Sequence, residues 1–253
     1  MHVVVLGAGV VGVSTAYQLL KDGHSVTILE REAEAAQFTS YANAGLVAPG
    51  HAYAWGSPAA PGMMLRSLYR GDQAIRFSPR FSMRQWRWSL AFLGQCTAER
   101  AAANTCIKAR LCQYSQSMLD EVTGETGVEY DGRSGGLLYF YRSPERYSAA
   151  SKKADLLREQ GLEVRQLSRD EVIETDPGLE TARHAVAGGL YTPSDSSGDA
   201  RIFTRELAKA CAGMGADIRY NTTVTGFVRK DGLLHSVETT SGPVAADAFV
   251  LCL

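Results

Sequence analysis

The amino-acid sequence predicts an α/β protein that begins with a strand, a helix and a second strand. Three observations support this prediction. Residues 3–6 are VVVL, an apolar run typical of a strand that is buried on both faces. Three glycines follow in the pattern G-x-G-x-x-G, and from residue 13 the apolar residues recur at helical spacing. A second apolar run, SVTIL, then occupies residues 25–29.

The glycine pattern gives this strand–helix–strand unit a specific chemistry. Gly7 allows a tight turn, Gly9 lets a pyrophosphate approach the backbone, and Gly12 lets the helix lie close to the strand. The helix N-terminus presents free N–H groups to phosphate oxygens. The pattern therefore predicts a Rossmann-like dinucleotide site. Its predicted cofactor-binding residues are Val5, Gly7, Ala8, Gly9, Val10, Val11 and Gly12.

An acid stands directly after the second strand. At this place the carboxylate of Glu30 is expected to accept hydrogen bonds from the adenosine ribose hydroxyls. A ribose that carries a 2′-phosphate is disfavoured there. An ordinary structural turn is the alternative explanation of the glycines, but it does not require the helix, the second strand and the acid in this order.

The next segment favours FAD over NAD as the cofactor. A nicotinamide domain would continue with a helix and a third buried strand, whereas residues 39–62 are TSYANAGLVAPGHAYAWGSPAAPG, without any Asp, Glu, Lys or Arg. Such a long irregular segment in a compact domain is usually functional or disordered, and its aromatic residues disfavour disorder. Small uncharged residues suit close contact with a large flat ring.

The remaining elements alternate between helix and strand. The composition predicts helices within residues 63–126, strands within 128–143 and a helix over 144–160. Ser168, with Glu171 three residues later, predicts a capping box at the start of a short helix. An amphipathic helix is expected over residues 199–213, and several strands follow up to residue 251.

Composition and charge exclude several functional classes. The chain has 253 residues, is 45% hydrophobic and carries a formal net charge of -1, so nothing indicates a nucleic-acid partner. Five cysteines include no C-x-x-C pair, so we expect reduced thiols, a cytoplasmic location and no metal site. No apolar run approaches the roughly 20 residues of a membrane span.

Four segments together resemble the D-amino-acid dehydrogenases (small subunit type) of the glycine oxidase and D-amino-acid oxidase superfamily. They are GAGVVGVSTAYQL, ILERE, TSYANAGLVAPG and GGLYTPSDSSGDARIFTRELA. The resemblance implies FAD and a glutathione-reductase-type FAD-binding domain over residues 1–60 and 195–253. It also implies part of an α+β substrate-binding domain, with a helical insertion, over residues 61–194.

The resemblance also implies roles for single residues. Arg31 is expected beside the ribose-binding Glu30. Val224 is expected to offer backbone groups to adenine, with a plain core position as the alternative. The residues expected to line the flavin are Ser40, Asn43, Ala44 and Gly45.

In the resembled family the chain continues beyond the position matched by Leu253. We therefore expect this sequence to be an N-terminal portion, truncated at the C-terminus. The arginine that binds the substrate carboxylate and the last flavin contacts are expected beyond it. The preferred amino acid, the electron acceptor and the oligomeric state are not predicted.

The resemblance implies oxidative deamination of D-amino acids to 2-oxo acids and ammonia, with electrons passing to quinone or another non-oxygen acceptor. No catalytic acid, base or nucleophile is identified. His51 and Tyr53 follow the predicted flavin segment and are candidates for the substrate pocket, with packing or solvent exposure as the alternative. A glycine, sarcosine or proline oxidase-type flavoenzyme and a non-catalytic flavin-binding subunit remain alternative functions.

Residues 62–95 contain six arginines and a single acid, Asp72. Aromatic residues are interleaved with these charges, a combination that suits an anionic membrane surface. We therefore predict peripheral contact with the inner membrane through residues 66–88, and a solvated helix face is the alternative. The arginines are Arg66, Arg70, Arg76, Arg80, Arg84 and Arg87.

Overall fold

A computed structural model describes residues 1–71 and 77–252 of the chain. It divides into two compact units, each assembled from separated segments of the sequence. The first unit comprises Met1–Val47, Met118–Arg133 and Ser197–Leu253, and the second comprises Ala48–Ser117 and Ser134–Ser196. The sequence-based domain prediction placed residues 118–133 with the substrate-binding domain, whereas here they lie in the first unit.

The first unit is built on a parallel sheet of four strands, as the opening of the sequence predicts. Strand His2–Leu6 lies between Ala248–Leu251 and Ser25–Leu29, and Asp217–Arg219 completes the order. Leu6 stands beside Leu29 in this register. The carboxyl ends of the two inner strands therefore lie together, where the glycine turn begins.

Two helices cover one face of this sheet. Val10–Lys21 and Ala200–Gly213 pack on alternate strand residues, because successive side chains of a strand point to opposite faces. Val5 and Ile28 of the sheet are fully buried in one apolar cluster with Leu207, which lies in the helix Ala200–Gly213. The two helices and the sheet thus share one apolar core.

The opposite face of the parallel sheet is also buried. Val4, Leu6 and Leu29 cluster there with Val237 and Val244. The last two residues belong to an antiparallel sheet made of Val224–Lys230, Leu233–Thr239 and Val244–Ala245. Both faces of the parallel sheet are thus covered, which explains the continuous apolar runs in its strands.

The second unit has an antiparallel sheet with helices around it. Strand Gly188–Thr192 lies between Leu137–Tyr141 and Arg165–Leu167. The α-helices outside the first unit are Ala60–Arg66, Met83–Gln95, Pro144–Arg158 and Arg169–Thr175, and the 3-10 helices are Pro49–His51 and Pro177–Ala185. The predicted capping box of Ser168 and Glu171 is present at the start of the helix Arg169–Thr175.

The remaining elements belong to the connections between the units. Helix Ala98–Thr126 contributes its first part to the second unit and its last part to the first. Two-residue strands lie at or next to the points where the chain passes from one unit to the other. These strands are Leu46–Val47, Arg133–Ser134 and Ser196–Ser197. Within the described ranges, no helix combines the length and the apolar character needed to cross a bilayer.

Candidate functional site

The glycine turn of the first unit has the geometry that the sequence predicts. Gly7 has a φ of 104°, a backbone conformation that side chains with a Cβ rarely adopt. A Cβ at Gly12 would lie 2.0 Å from the carbonyl oxygen of Gly7. The helix therefore approaches the turn as closely as the backbone permits, and position 12 has no room for a side chain.

The helix behind this turn begins next to an open position. Gly9 is its N-cap residue and provides no side-chain hydrogen bond. A Cβ at Gly9 would meet only Ser40 Oγ, at 3.4 Å, so the protein itself leaves this position open. Val11 is 63% exposed. The helix N-terminus thus borders an open space at position 9 that a phosphate group can occupy.

Ser40 lies at this helix N-terminus. Its Oγ accepts a hydrogen bond of 3.0 Å from the backbone N–H of Val10. Ser40 is buried, although it belongs to the irregular segment that the sequence assigns to the flavin. It therefore joins that segment to the predicted pyrophosphate turn.

Glu30 is buried next to the same turn, with only 9% of its surface exposed. Its Oε2 accepts a hydrogen bond of 2.7 Å from the N–H of Ala8, and its Oε1 accepts one of 2.9 Å from the N–H of Glu32. A carboxylate has about four acceptor positions. Capacity for ribose hydroxyls therefore remains after the two backbone contacts.

The next two predicted residues have different surroundings. Arg31 is more than half exposed, and its guanidinium carbon lies 4.1 Å from the centroid of the Phe38 ring. Val224 packs its side chain against the apolar cluster of Val4 and Leu29. The backbone contact with adenine that the resemblance implies for Val224 stays a prediction.

The predicted flavin segment is fixed by a turn. Asn43 Oδ1 accepts a hydrogen bond of 2.8 Å from the N–H of Gly45, which has a φ of 60°. The carbonyl oxygen of Gly45 in turn accepts a hydrogen bond of 2.8 Å from the N–H of Gly198. A Cβ at Gly45 would lie 2.3 Å from the Gly198 carbonyl oxygen, so glycine is required here.

A cleft of about 400 Å³ opens beside this segment, and we call it the loop cleft. It is lined by residues 40–45, Asp131, Arg133 and residues 197–201, all of the first unit. The four residues predicted to line the flavin all line this cleft: Ser40, Asn43, Ala44 and Gly45. Sequence reasoning missed Tyr41 and Arg201, which also line the cleft. The one sequence signal was the GDAR segment, in which Asp199 caps the helix that carries Arg201.

The predicted substrate residues lie in the second unit. His51 stacks on Tyr139, with ring centroids 5.0 Å apart, and meets Tyr53 edge-on at 5.7 Å. Burial, together with the charge of Lys108, lowers the pKa of His51. Burial also raises the pKa of Tyr53 to about 12, and its hydroxyl has no partner within the described chain.

A buried carboxylate beside His51 was not selected from the sequence. Asp195 is 0% exposed; its Oδ1 accepts from the N–H of Gly50 at 2.9 Å, and its Oδ2 accepts from the Tyr139 hydroxyl at 3.2 Å. Burial raises the pKa of Asp195, and the two hydrogen bonds oppose this shift. This network ties the segment that carries His51 to the strand that carries Tyr139.

Comparison with known proteins identifies the family. The model of the family described as DAO, FAD dependent oxidoreductase, matches residues 2–253. The chain belongs to this family. Its cofactor is therefore FAD, as the uncharged segment predicted.

Curated relatives of the family match the whole chain. D-amino acid dehydrogenase 2 of Mesorhizobium japonicum is 42% identical over 254 residues, and D-amino acid dehydrogenase of Phenylobacterium zucineum is 41% identical over 253 residues. The alignments cover 100% of this chain and 61% and 59% of those relatives. The chain thus spans about three-fifths of the length of the curated relatives that it matches.

Solved structures of other proteins share the fold. Glycine oxidase from Geobacillus kaustophilus has a TM-score of 0.66 at 24% identity, over 99% of this chain and 54% of that protein. L-Amino acid deaminase from Proteus myxofaciens has a TM-score of 0.69 at 19% identity, over 99% of this chain and 44% of that protein. The Rossmann-like α/β prediction is therefore confirmed.

The residues of the first unit suit this cofactor. Position 9 lacks a side chain where a pyrophosphate would approach, and position 12 brings the helix N-terminus against the turn. Glu30 retains acceptor capacity, and the loop cleft offers a space lined mostly by small residues. Donors, acceptor and cavity thus match the phosphates, the ribose and the ring of FAD in chemical type.

Proposed function

We propose that this chain provides the FAD-binding part of a dehydrogenase that oxidises D-amino acids to imino acids. Water then converts the imino acid to a 2-oxo acid and ammonia, and the two electrons pass to a non-oxygen acceptor such as quinone. The observation that carries this proposal is the match of the whole chain to relatives named D-amino acid dehydrogenase, at 36–42% identity.

The cofactor roles proposed for single residues follow from the geometry of the first unit. The backbone of residues 7–12 holds the pyrophosphate, with Val5 ending the strand before it. Glu30 accepts from the ribose hydroxyls, Arg31 lies beside them, and the backbone of Val224 meets adenine. The loop cleft receives the flavin, with Ser40 linking it to the pyrophosphate site.

The proposed domain limits follow the same assignment. The first unit, Met1–Val47, Met118–Arg133 and Ser197–Leu253, is proposed as the FAD-binding domain in place of residues 1–60 and 195–253. The second unit, Ala48–Ser117 and Ser134–Ser196, is proposed as part of the substrate-binding domain in place of residues 61–194. His51 and Tyr53 remain our candidates for the substrate pocket.

When bound, FAD takes two electrons from the substrate, so the protein's own work is binding and orientation. The amine has to be unprotonated for this oxidation. Both carboxylate oxygens of Asp195 already accept hydrogen bonds, one from the N–H of Gly50 and one from the Tyr139 hydroxyl, so Asp195 has a structural role in the second unit. We therefore assign no catalytic acid or base to the described residues.

Reduction of bound FAD by different amino acids tests the proposal. The chain, extended to the full length of its curated relatives and loaded with FAD, is mixed without oxygen with D-alanine, L-alanine, glycine, sarcosine or L-proline. We expect D-alanine to bleach the yellow flavin absorbance fastest. Reduction by L-alanine alone would overturn the assignment to D-amino acids. Failure of this extended protein to bind FAD would overturn the cofactor roles.

A second candidate function is a glycine, sarcosine or proline oxidase-type activity. Solved structures named glycine oxidase and L-proline dehydrogenase share this fold at TM-scores of 0.66 and 0.67. Faster bleaching by glycine, sarcosine or L-proline than by D-alanine would favour it. Binding of FAD without reduction by any of these amino acids would favour a non-catalytic flavin-binding subunit.

Membrane contact through residues 66–88 is the second part of the proposal. Helix Met83–Gln95 exposes Met83, Trp86, Leu90 and Leu93 at helical spacings of three and four, so they share one face. Trp86 is 47% exposed and Leu90 is 69% exposed. Arg76 lies outside the described residues.

Basic residues accompany this apolar face. Arg84 and Arg87 lie on the same helix, and Arg80 precedes it. An exposed apolar face with arginines next to it suits the headgroup region of an anionic bilayer. We propose a cytoplasmic protein held peripherally on the inner membrane, close to a quinone acceptor.

A further inference from the structure

The loop cleft contains a cation that is held in one orientation. The guanidinium carbon of Arg201 lies 4.0 Å from the centroid of the Tyr41 ring. This distance is typical of a cation–π contact, which places the flat guanidinium over the ring. The Tyr41 ring is itself partly exposed at the cleft.

Part of this cation lacks a protein partner. Arg201 Nε is buried and donates no hydrogen bond to any described residue. Across residues 1–71 and 77–252, no carboxylate lies within 4.0 Å of the Arg201 guanidinium, whereas Arg205, one turn later, pairs with Glu34. The Arg201 guanidinium thus has no carboxylate partner among the described residues, and the oxygen atoms of a ligand in the cleft would supply one.

The other charges of the cleft are engaged or exposed. Asp199 Oδ1 accepts a hydrogen bond of 2.8 Å from the N–H of Ile202, as the N-cap of the helix. Asp131 and Arg133 are exposed at the rim. Arg201 is therefore the cation of the cleft whose position is fixed by stacking on a ring. Arg133 carries the same charge but stacks on none of the described aromatic residues, so it provides a control for Arg201.

We propose that the loop cleft binds an oxyanion and that Arg201, held by Tyr41, recognises it. A guanidinium suits this task because its parallel N–H groups match two oxygens of a carboxylate or a phosphate. Two sources can supply that oxyanion: a phosphate of FAD, or the carboxylate of an amino-acid ligand. Only the identity of the oxyanion rests on the proposed function. Anion binding by the cleft is inferred from Arg201 and Tyr41 alone.

Anion binding by the chain without FAD is the first test. Inorganic pyrophosphate and benzoate are titrated into the parent chain, Arg201→Gln and Arg133→Gln, and binding is measured by calorimetry. We expect at least one anion to bind the parent and Arg133→Gln with similar affinity. Arg201→Gln should bind it about ten- to a hundredfold more weakly, because a charge-assisted contact is lost.

Two cofactor titrations then distinguish the sources. If the oxyanion is a phosphate of FAD, Arg201→Gln weakens FAD binding and leaves the binding of riboflavin, which has no phosphate, unchanged. If it is a carboxylate, Arg201→Gln binds FAD normally, and its FAD-loaded form binds benzoate more weakly than the parent.

The exposed ring of Tyr41 provides a second variant that does not alter the charge. Tyr41→Leu should weaken anion binding about two- to fivefold, since it removes only the stacking that positions the guanidinium. Equal binding of every anion by the parent and both cleft variants would overturn the proposal, as would a parent that binds neither anion. A parent that fails to bind FAD but shows Arg201-dependent anion binding would support it and overturn the FAD roles.

Discussion

The Oε2 atom of Glu30 accepts a hydrogen bond of 2.7 Å from the backbone N–H of Ala8. This contact joins the end of the second strand to the glycine turn, across 22 positions of the sequence. Glu30 therefore has a role in the protein itself, in addition to the ribose contact that we propose.

Replacing Glu30 with Gln should affect both FAD binding and stability. The amide has one oxygen, whereas the carboxylate accepts from both Ala8 and Glu32. We expect the free energy of unfolding to fall by about 1–3 kcal/mol, because one backbone donor loses its acceptor. FAD affinity should fall by about ten- to a hundredfold, since the charged acceptor is lost.

Denaturant unfolding without FAD and FAD titration measure these two effects separately. Glu32→Gln is the matched control, because its side chain pairs with the exposed Arg31 at the surface. Glu32→Gln should change both quantities little. Unchanged FAD affinity in Glu30→Gln would place Glu30 away from the ribose.

Alanine at Gly9 and at Gly12 should affect different properties, FAD binding in the first case and stability in the second. Gly12→Ala should destabilise the fold, because its Cβ would lie 2.0 Å from the Gly7 carbonyl oxygen. Gly9→Ala should fold normally, because its Cβ meets only Ser40 Oγ at 3.4 Å, yet it should bind FAD poorly. Thermal unfolding without FAD and FAD titration check these expectations. Normal FAD affinity in Gly9→Ala would contradict the proposed pyrophosphate position.

The arginine-rich segment should bind anionic liposomes in a salt-sensitive way. Each basic residue near such a surface contributes about 1 kcal/mol. Changing Arg80, Arg84 and Arg87 to Gln should therefore weaken binding markedly, while FAD binding stays normal. Co-sedimentation with anionic and neutral vesicles at rising salt measures this. As a control, Arg142, Arg146 and Arg165, which are exposed elsewhere in the second unit, are changed to Gln. Equal loss in both triple variants would contradict a specific role for residues 80–87.

Asp195 should make stability depend on pH in a predictable direction. Burial raises its pKa, so the folded chain retains this proton at pH values where the unfolded chain has released it. The free energy of unfolding therefore falls as pH rises from about 4, the ordinary value for Asp, through the raised pKa of the folded chain. Asp195→Asn should lose this component, because it has no carboxyl proton to release.

The measurement is denaturant unfolding of the parent and of Asp195→Asn over a series of pH values. The difference between the two proteins isolates Asp195 from the other titrating groups. Asp131→Asn, which removes a carboxyl at an exposed position, is the matched control variant. A constant difference between the parent and Asp195→Asn would mean that burial does not shift the pKa of this carboxyl.

Local signals in the sequence were enough to predict part of this fold. The first strand, the helix and the second strand follow from apolar periodicity, and Gly7 and Gly12 from the turn between them. The capping box of Ser168 and Glu171 needs only neighbouring residues. Each of these features is determined within a few positions of the chain, so its pattern can be recognised without knowledge of the tertiary structure.

Long-range contacts could not be predicted in this way. Ser40 reaches Val10 from 30 positions away, and Arg201 reaches Tyr41 from a different segment of the chain. Asp195 lies in a polar stretch, PSDSS, whose composition indicates an exposed turn, yet it is fully buried. Its burial depends on the packing of Gly50 and Tyr139, which no local pattern records.

The different surroundings of Gly9 and Gly12 affect how divergent relatives should be compared. Position 12 is restricted to glycine by the chain's own backbone, so it would stay glycine in a descendant that had lost its cofactor. Position 9 is restricted only by the ligand, and in such a descendant it would be free to drift to alanine or serine. Among distant homologues, the residue at position 9 therefore reports whether the dinucleotide is still bound, while the residue at position 12 reports only that the fold has been kept.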